Sequence, residues 1–350
     1  MEQPKSVSES ESLLSPEEKG LLAEWVRWVK EKAQKVFERR RVENEPRLSL
    51  DIFYAHHATP EDRAGLREKF THTDIYIPEG FYWVPEVLDL LRDASKGLAA
   101  KEEIMARLRE SPHNVPYMRE LVDMVYGSGK EITIIDMPQG DEKAGEYFSL
   151  GDLTPEHGKS FEETLNAVQK GVKNQAEFHE KREEYMLANL DAAIKERIQA
   201  NPHLQRKDTV RVLLSLGSYH TWLYQDLRRR KYDVSRTFKD LPLIFGYGTE
   251  ADRRFRFHKD ISRDLLAKVL LEVMCYHSFG HIVRDAAQNS QKLALFFRKV
   301  VSCFSAAEVQ AIFESSENTT FERVFIDAME KKGLHFPETE TDIDKFLKHR

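Results

Sequence analysis

A chain of 350 residues with 41% hydrophobic and 32% charged side chains can bury a large core, and with few glycines and prolines it is neither a disordered nor a fibrous composition. A net charge of −6 at pH 7 argues against a nucleic-acid surface. The basic runs Arg39-Arg40-Arg41 and Arg228-Arg229-Arg230-Lys231 lie beside acids such as Glu38 and Asp226, so they read as solvated helix faces rather than a phosphate track. The two cysteines, Cys275 and Cys303, sit in apolar helical stretches and read as small buried side chains in a reducing compartment. No apolar run approaches the roughly 20 residues that span a bilayer, and the polar start Met1-Glu-Gln-Pro-Lys5 lacks the apolar core of a signal peptide. A cytoplasmic protein with a small-molecule substrate or ligand, and no membrane or nucleic-acid partner, is predicted.

Residues 1–14 are rich in Ser and Glu and are expected to be disordered. Residues 15–45 read as a helical arm: Ser15-Pro-Glu-Glu18 has the form of a capping box, and Leu21, Leu22, Trp25, Trp28, Val29 and Val36 follow at helical spacing. From Leu48 the period changes to alternation through Leu50, Ile52 and Tyr54, a strand that runs into His56 and His57. A helix ending near Phe70 and a second strand, Asp74 to Glu79, complete a βαβ unit and imply parallel pairing. Helices fill 84–126, broken near Ser111-Pro112 and Pro116. Glu131 to Asp136 is a mostly β-branched third strand, as expected for one buried on both faces.

The loop 137–158, rich in Gly, Asp and Glu, is long enough to act as a lid. A long helix over Phe161–Gln199, with a break expected near Gly171, leads to a second copy of the opening pattern. There Val210 to His220 is a strand passing through a Gly217 turn into a histidine, followed by a helix over Trp222–Arg230. A short strand over Asp233–Ser235 comes next, and helices run on to Phe336. The tail 337–350 looks amphipathic and weakly held. The fold class is α/β, a mostly parallel sheet from two similar βα halves (46–238), with added helices at both ends, the C-terminal set over 239–350.

Strand ends at the carboxyl edge of such a sheet are where open α/β folds bind ligands. Here they deliver His56 and His57, Glu79, Asp136 and His220, with Arg182 on the preceding helix. Each has a plain structural alternative. One histidine of the pair could be structural, and His220 could donate to a backbone carbonyl. Glu79 and Asp136 could form turns, and Arg182 could pair with an acid on its own or a neighbouring helix.

The ordered set of a strand with His, a strand with Glu, a strand with Asp, an Arg-x-x-x-Met helix and a strand-Gly-x-x-His-helix resembles the TraB / ChaN / erythromycin esterase-like superfamily, the group that also contains the Tiki proteases. The matching segments are Lys181-Arg-Glu-Glu-Tyr-Met-Leu-Ala-Asn-Leu190 and Leu214-Ser-Leu-Gly-Ser-Tyr-His-Thr221, within roughly 48–238. The resemblance implies a polar pocket in which His57 is base or metal ligand and Glu79 its acidic partner. Arg182 would stabilise an anion or oxyanion, His220 would be a second base or ligand, and His56 and Asp136 would assist binding. The first copy departs from the pattern, carrying Tyr54 where a Gly is expected.

A histidine with a carboxylate partner can take a proton from water, and two His with a Glu can ligate Zn or Mn with a position open for water. The resemblance therefore implies a hydrolase, metal-assisted in one version, acting on an ester, amide or related small molecule. The alternative is a non-catalytic member of the fold that holds a haem-like or anionic ligand, and a third reading is a helical interaction scaffold. Outside the repeat, His277 and His281 share a helix face at i, i+4, a spacing that suits a metal, although a pair of ordinary helix histidines is the simpler reading. Gly246-Tyr-Gly248 lacks nucleotide-loop spacing and reads as a turn.

Overall fold

The computed structural model describes residues 45–55, 60–80, 83–110, 116–138, 158–238, 246–286, 290–316 and 319–348. The expected N-terminal tail and arm, Arg39 to Arg41, His56, His57 and most of the 137–158 loop lie outside them, and the side chain of His281 is likewise not described.

Five strands form one all-parallel sheet in the order β3-β2-β4-β1-β5. They are β1 (Arg47–Ala55), β2 (Ile75–Pro78), β3 (Glu131–Ile132), β4 (Thr209–Gly217) and β5 (Asp233–Phe238). The strands of the two repeat copies, β1 and β4, are direct neighbours, with Ala55 paired to Gly217 and Tyr54 to Leu216. The crossover from β1 to β2 passes over β4, and the one from β4 to β5 passes over β1, so the two halves interlock.

Alternation along the strands splits the core into two layers. Phe53, Tyr76, Ile132 and Leu213 pack with α1 (Pro60–Thr71), α2 (Pro85–Lys96), α3 (Lys101–Glu110) and α4 (Pro116–Val125). The opposite parity, Ile52, Tyr54, Ile77, Leu214 and Leu216, packs with α5 (Phe161–Ala200), α6 (Pro202–Gln205) and α7 (Thr221–Arg229). Leftward and rightward crossovers lie on opposite faces, as right-handed connections require. A break beyond those expected falls at Gly97, whose left-handed φ of 63° caps α2.

Helix α5 is unbroken for 40 residues. The break expected at Gly171 does not occur, because Gly171 is buried between Val168 and Val172. Packing by its neighbours outweighs the about 1 kcal/mol that an interior glycine costs. The N-terminal turns of α5 belong to a third core built with the C-terminal helices: Phe161, Leu165 and Val168 meet Leu270, Phe296 and Phe325. Its later turns, Met186 to Ile194, pack on the sheet. One helix thus ties the α/β core to the C-terminal layer.

That layer comprises α8 (Tyr247–Arg256), α9 (Arg263–Ala286), α10 (Ser290–Ser302), α11 (Ala306–Ser315), α12 (Phe321–Lys331) and α13 (Glu340–Lys348). Gly246-Tyr-Gly248 is the start of α8 rather than a simple turn: Gly246 is its N-cap, and the Tyr247 N–H donates to Glu272 of α9 at 2.8 Å. The tail is held more firmly than its sequence suggests, since α13 buries Ile343 completely and seats Phe346 and Leu347 on the third core. Cys275 is buried and Cys303 half-buried. Arg228 to Lys231 are exposed, as expected for a solvated face. Among the described residues no helix is long and apolar enough to cross a membrane.

Candidate functional site

At the carboxyl edge of the sheet the chain leaves β2 at Glu79 and reaches Asp136 after β3. It leaves β4 through a 3₁₀ turn, Ser218–His220. Beside this edge α5 presents Arg182 and Glu183. Arg182 Nε donates to Asp136 Oδ1 at 2.8 Å, and its Nη2 donates to Glu79 Oε1 at 2.8 Å and to Asp136 Oδ2. Glu79 Oε1 also meets His220 Nε2 at 3.2 Å, while Oε2 accepts the Gly217 N–H. Four of the residues expected at the site, Glu79, Asp136, Arg182 and His220, therefore form one contiguous cluster. His56 and His57 follow β1, the neighbour of β4, outside the described residues.

Asp136 shows why it is more than a turn former. It is buried, its Oδ1 accepts its neighbour's Met137 N–H at 2.9 Å, and Oδ2 accepts the Gly80 N–H at 3.3 Å. Burial works against the Arg182 charge, but Asp136 and Glu79 outweigh it and hold the guanidinium above its usual range. Gly217 has an ordinary φ of −67°, so its role is space rather than backbone strain. A Cβ there would sit 3.0 Å from Glu79 Oε2. The missing side chain lets the carboxylate reach the strand-end amide.

The other ring nitrogen of His220, Nδ1, meets Glu183 Oε1 at 3.2 Å. Burial and the Arg182 charge push the imidazole pKa down, but the two carboxylates overcome both and the net shift is upward. Glu183 shifts downward: burial opposes its ionisation, while Arg256 and His220 more than compensate. Both nitrogens face carboxylates, which accept, so the contacts favour a His220 ring that donates at both positions and bridges two carboxylates. Tyr54, the departure from the family pattern, belongs to the same turn. Its hydroxyl donates to the His220 carbonyl at 2.9 Å, and its ring stacks on Phe238 with centroids 4.7 Å apart.

The network extends to residues that the motifs did not single out. Arg256 of α8 donates to Glu183 Oε2 at 2.5 Å and to the Tyr219 carbonyl at 2.9 Å, and lies 3.8 Å from Asp252. Asp252 accepts from His179 Nδ1 at 2.9 Å. The His179 ring lies 4.6 Å from that of Tyr219 and 6.1 Å from that of His220. Burial lowers the His179 pKa against the pull of Asp252, with the His220 and Arg182 charges adding to the depression. One signal for part of this was present in the sequence: His179, Arg182, Glu183 and Met186 fall at i, i+3, i+4 and i+7, a single helix face. Asp252 and Arg256 share a face of α8, but which helix they meet follows only from packing.

Of the candidate ligands, the two that are described, Glu79 and His220, do not offer free donors to a metal. His220 has both nitrogens engaged by carboxylates and Glu79 has both oxygens engaged by N–H groups, and among the described residues no group of three or more His, Cys, Asp or Glu side chains is arranged to hold an ion. His277 is exposed on α9. Comparison with protein-family models, with curated proteins and with solved structures finds no match to this chain.

Proposed function

We propose that the carboxyl edge of β2 and β4 is the active centre of a hydrolase acting on an ester, amide or related small molecule, in the manner of the TraB / ChaN / erythromycin esterase-like proteins that the motifs resemble. One observation carries this reading: Glu79 Oε1 receives Arg182 and His220 together, from three separate chain segments, at the sheet edge where α/β folds act. Arg182 and His220 are N–H donors held in fixed positions around that carboxylate, groups of the kind that stabilise a developing oxyanion at no reorganisation cost. Asp136 and Glu183 hold those donors from behind, and the resemblance gives His57 the role of base. No metal enters this version. Cys275 and Cys303 as thiols suit a cytoplasmic setting.

The test is turnover of p-nitrophenyl acetate by the whole protein and by His220→Gln and Glu79→Gln. Each substitution is expected to lower kcat by about 10²-fold or more. Unchanged turnover in both removes the assignment. The competing reading, a ligand-binding member without chemistry, is favoured by one feature: His220 is only 1% exposed and already bound at both nitrogens. An absorbance titration showing stoichiometric haem binding, with no ester turnover, would decide for it.

A further inference from the structure

We propose that His179, oriented by Asp252, is the proton acceptor of this site, and that His220 is not. The proposal deepens the hydrolytic reading above and rests on it. The two histidines are prepared oppositely. His220 is bonded through both nitrogens to carboxylates, so it has no lone pair with which to take a proton from water. His179 is bonded through Nδ1 alone, to a carboxylate that can only accept, which fixes the proton on Nδ1 and leaves the lone pair on Nε2. Among the described residues nothing hydrogen-bonds to Nε2, although the side chain is only 5% exposed.

The surroundings favour a neutral ring that is ready to be charged. His179 faces Asp252 from α8 (itself 3.8 Å from Arg256), Tyr219 and His220 from the 3₁₀ turn, and Arg182 from its own helix. Within this cluster four carboxylates, Glu79, Asp136, Glu183 and Asp252, stand against two guanidiniums and the His220 imidazolium. The charge is balanced only when His179 also carries a proton. Burial holds the proton off the resting ring, so the base form persists at neutral pH.

In ester hydrolysis Nε2 takes a proton from water as the water oxygen bonds to the carbonyl carbon and the carbonyl π pair moves onto oxygen. Collapse of the tetrahedral intermediate reforms the carbonyl and breaks the bond to the leaving oxygen, which takes the proton from the His179 imidazolium. The ring ends neutral and only water is consumed.

Two measurements test this on the full chain. Imidazole ¹⁵N spectra of the histidine-labelled wild type near neutral pH should show His179 protonated at Nδ1 only and His220 protonated at both nitrogens. With p-nitrophenyl acetate, His179→Gln and Asp252→Asn should each lower kcat by about 10²-fold or more while KM stays unchanged. The acid limb of wild-type kcat/KM should fall below the ordinary histidine value of 6.5. If the wild type turns over and His179→Gln matches it while His57→Gln does not, the proposal is overturned and the hydrolytic reading stands. If the wild type does not turn over, the hydrolytic reading fails. The spectra are a test independent of turnover: a doubly protonated or Nε2-protonated His179 overturns the assignment even where the wild type turns over.

Discussion

Tyr54 is the residue that most changes the meaning of the repeat. Set against the second copy, it occupies the place of a turn glycine, which reads as the loss of a site feature. In the fold it is a fully buried clamp whose hydroxyl holds the carbonyl of His220 at 2.9 Å. Tyr54→Phe keeps the ring and its stacking on Phe238 and strands that carbonyl. It should cost about 1–3 kcal/mol, read as a shift in the urea midpoint. A cost near zero would mean that the turn is held elsewhere. Gly217→Ala probes the opposite wall: the added methyl meets Glu79 Oε2 and forces the carboxylate off the strand-end amide. A misplacement of about 1 Å can lower kcat by about 10²-fold, so this smaller shift should lower it by less than that, and retention of full activity would show that Glu79 needs no such close approach.

The ends of β2 and β4 made Glu79 and His220 legible, because a β period that stops at a polar residue places it at an edge. Asp136 was expected to end a strand over 131–136, but β3 closes at Ile132 and Asp136 lies beyond it. Arg182 was legible through its motif, and Glu183 is the next residue of the same helix. His179 shared their helix face and could have been found by extending the i, i+3, i+4 pattern one turn back.

At the scale of elements, the strands were readable from alternation and the interlocked order was not, since pairing partners are set by crossovers that leave no local mark. The same holds for α8. Its Asp252 and Arg256 gain meaning only by docking against α5, where Arg256 meets Glu183 and Asp252 meets His179. Long-range packing likewise keeps α5 continuous through Gly171 and seats α13. The docking predicts strong non-additivity. Arg256→Met leaves Glu183 buried with one partner fewer and should cost about 3–5 kcal/mol, measured by chemical denaturation. Adding Glu183→Gln removes the stranded charge and should recover a large part of that loss. If the double variant is as unstable as the sum of the single ones, the pair does not couple α5 to α8.

For the whole molecule, the two opposed histidines set a pH profile. Both have an ordinary value of 6.5, the reference for the unfolded chain. His220 is raised in the fold, so the folded state binds more protons between 6.5 and its folded value. Its contribution to stability is complete below 6.5 and is lost as pH rises through the raised value. His179 is lowered, so the unfolded state binds more protons between its folded value and 6.5. Its contribution is complete above 6.5 and is lost as pH falls through the lowered value. The two terms are therefore present together only around 6.5, and stability should decline on both sides, each at no more than about 1.4 kcal/mol per pH unit for one proton. Glu272, raised by burial, also titrates, but its term is common to all the proteins compared and drops out of differences. Glu183, lowered by Arg256 and by His220, changes in His220→Gln, but its term is lost only as pH falls below the usual carboxylate value of 4.5, outside the window above 6.5 where that variant is compared. Urea midpoints followed across pH separate the limbs. The advantage of wild type over His220→Gln should shrink as pH rises above 6.5, and its advantage over His179→Gln should shrink as pH falls below it. Differences that stay flat with pH would mean that the two rings do not carry the opposed protonation states that their partners impose.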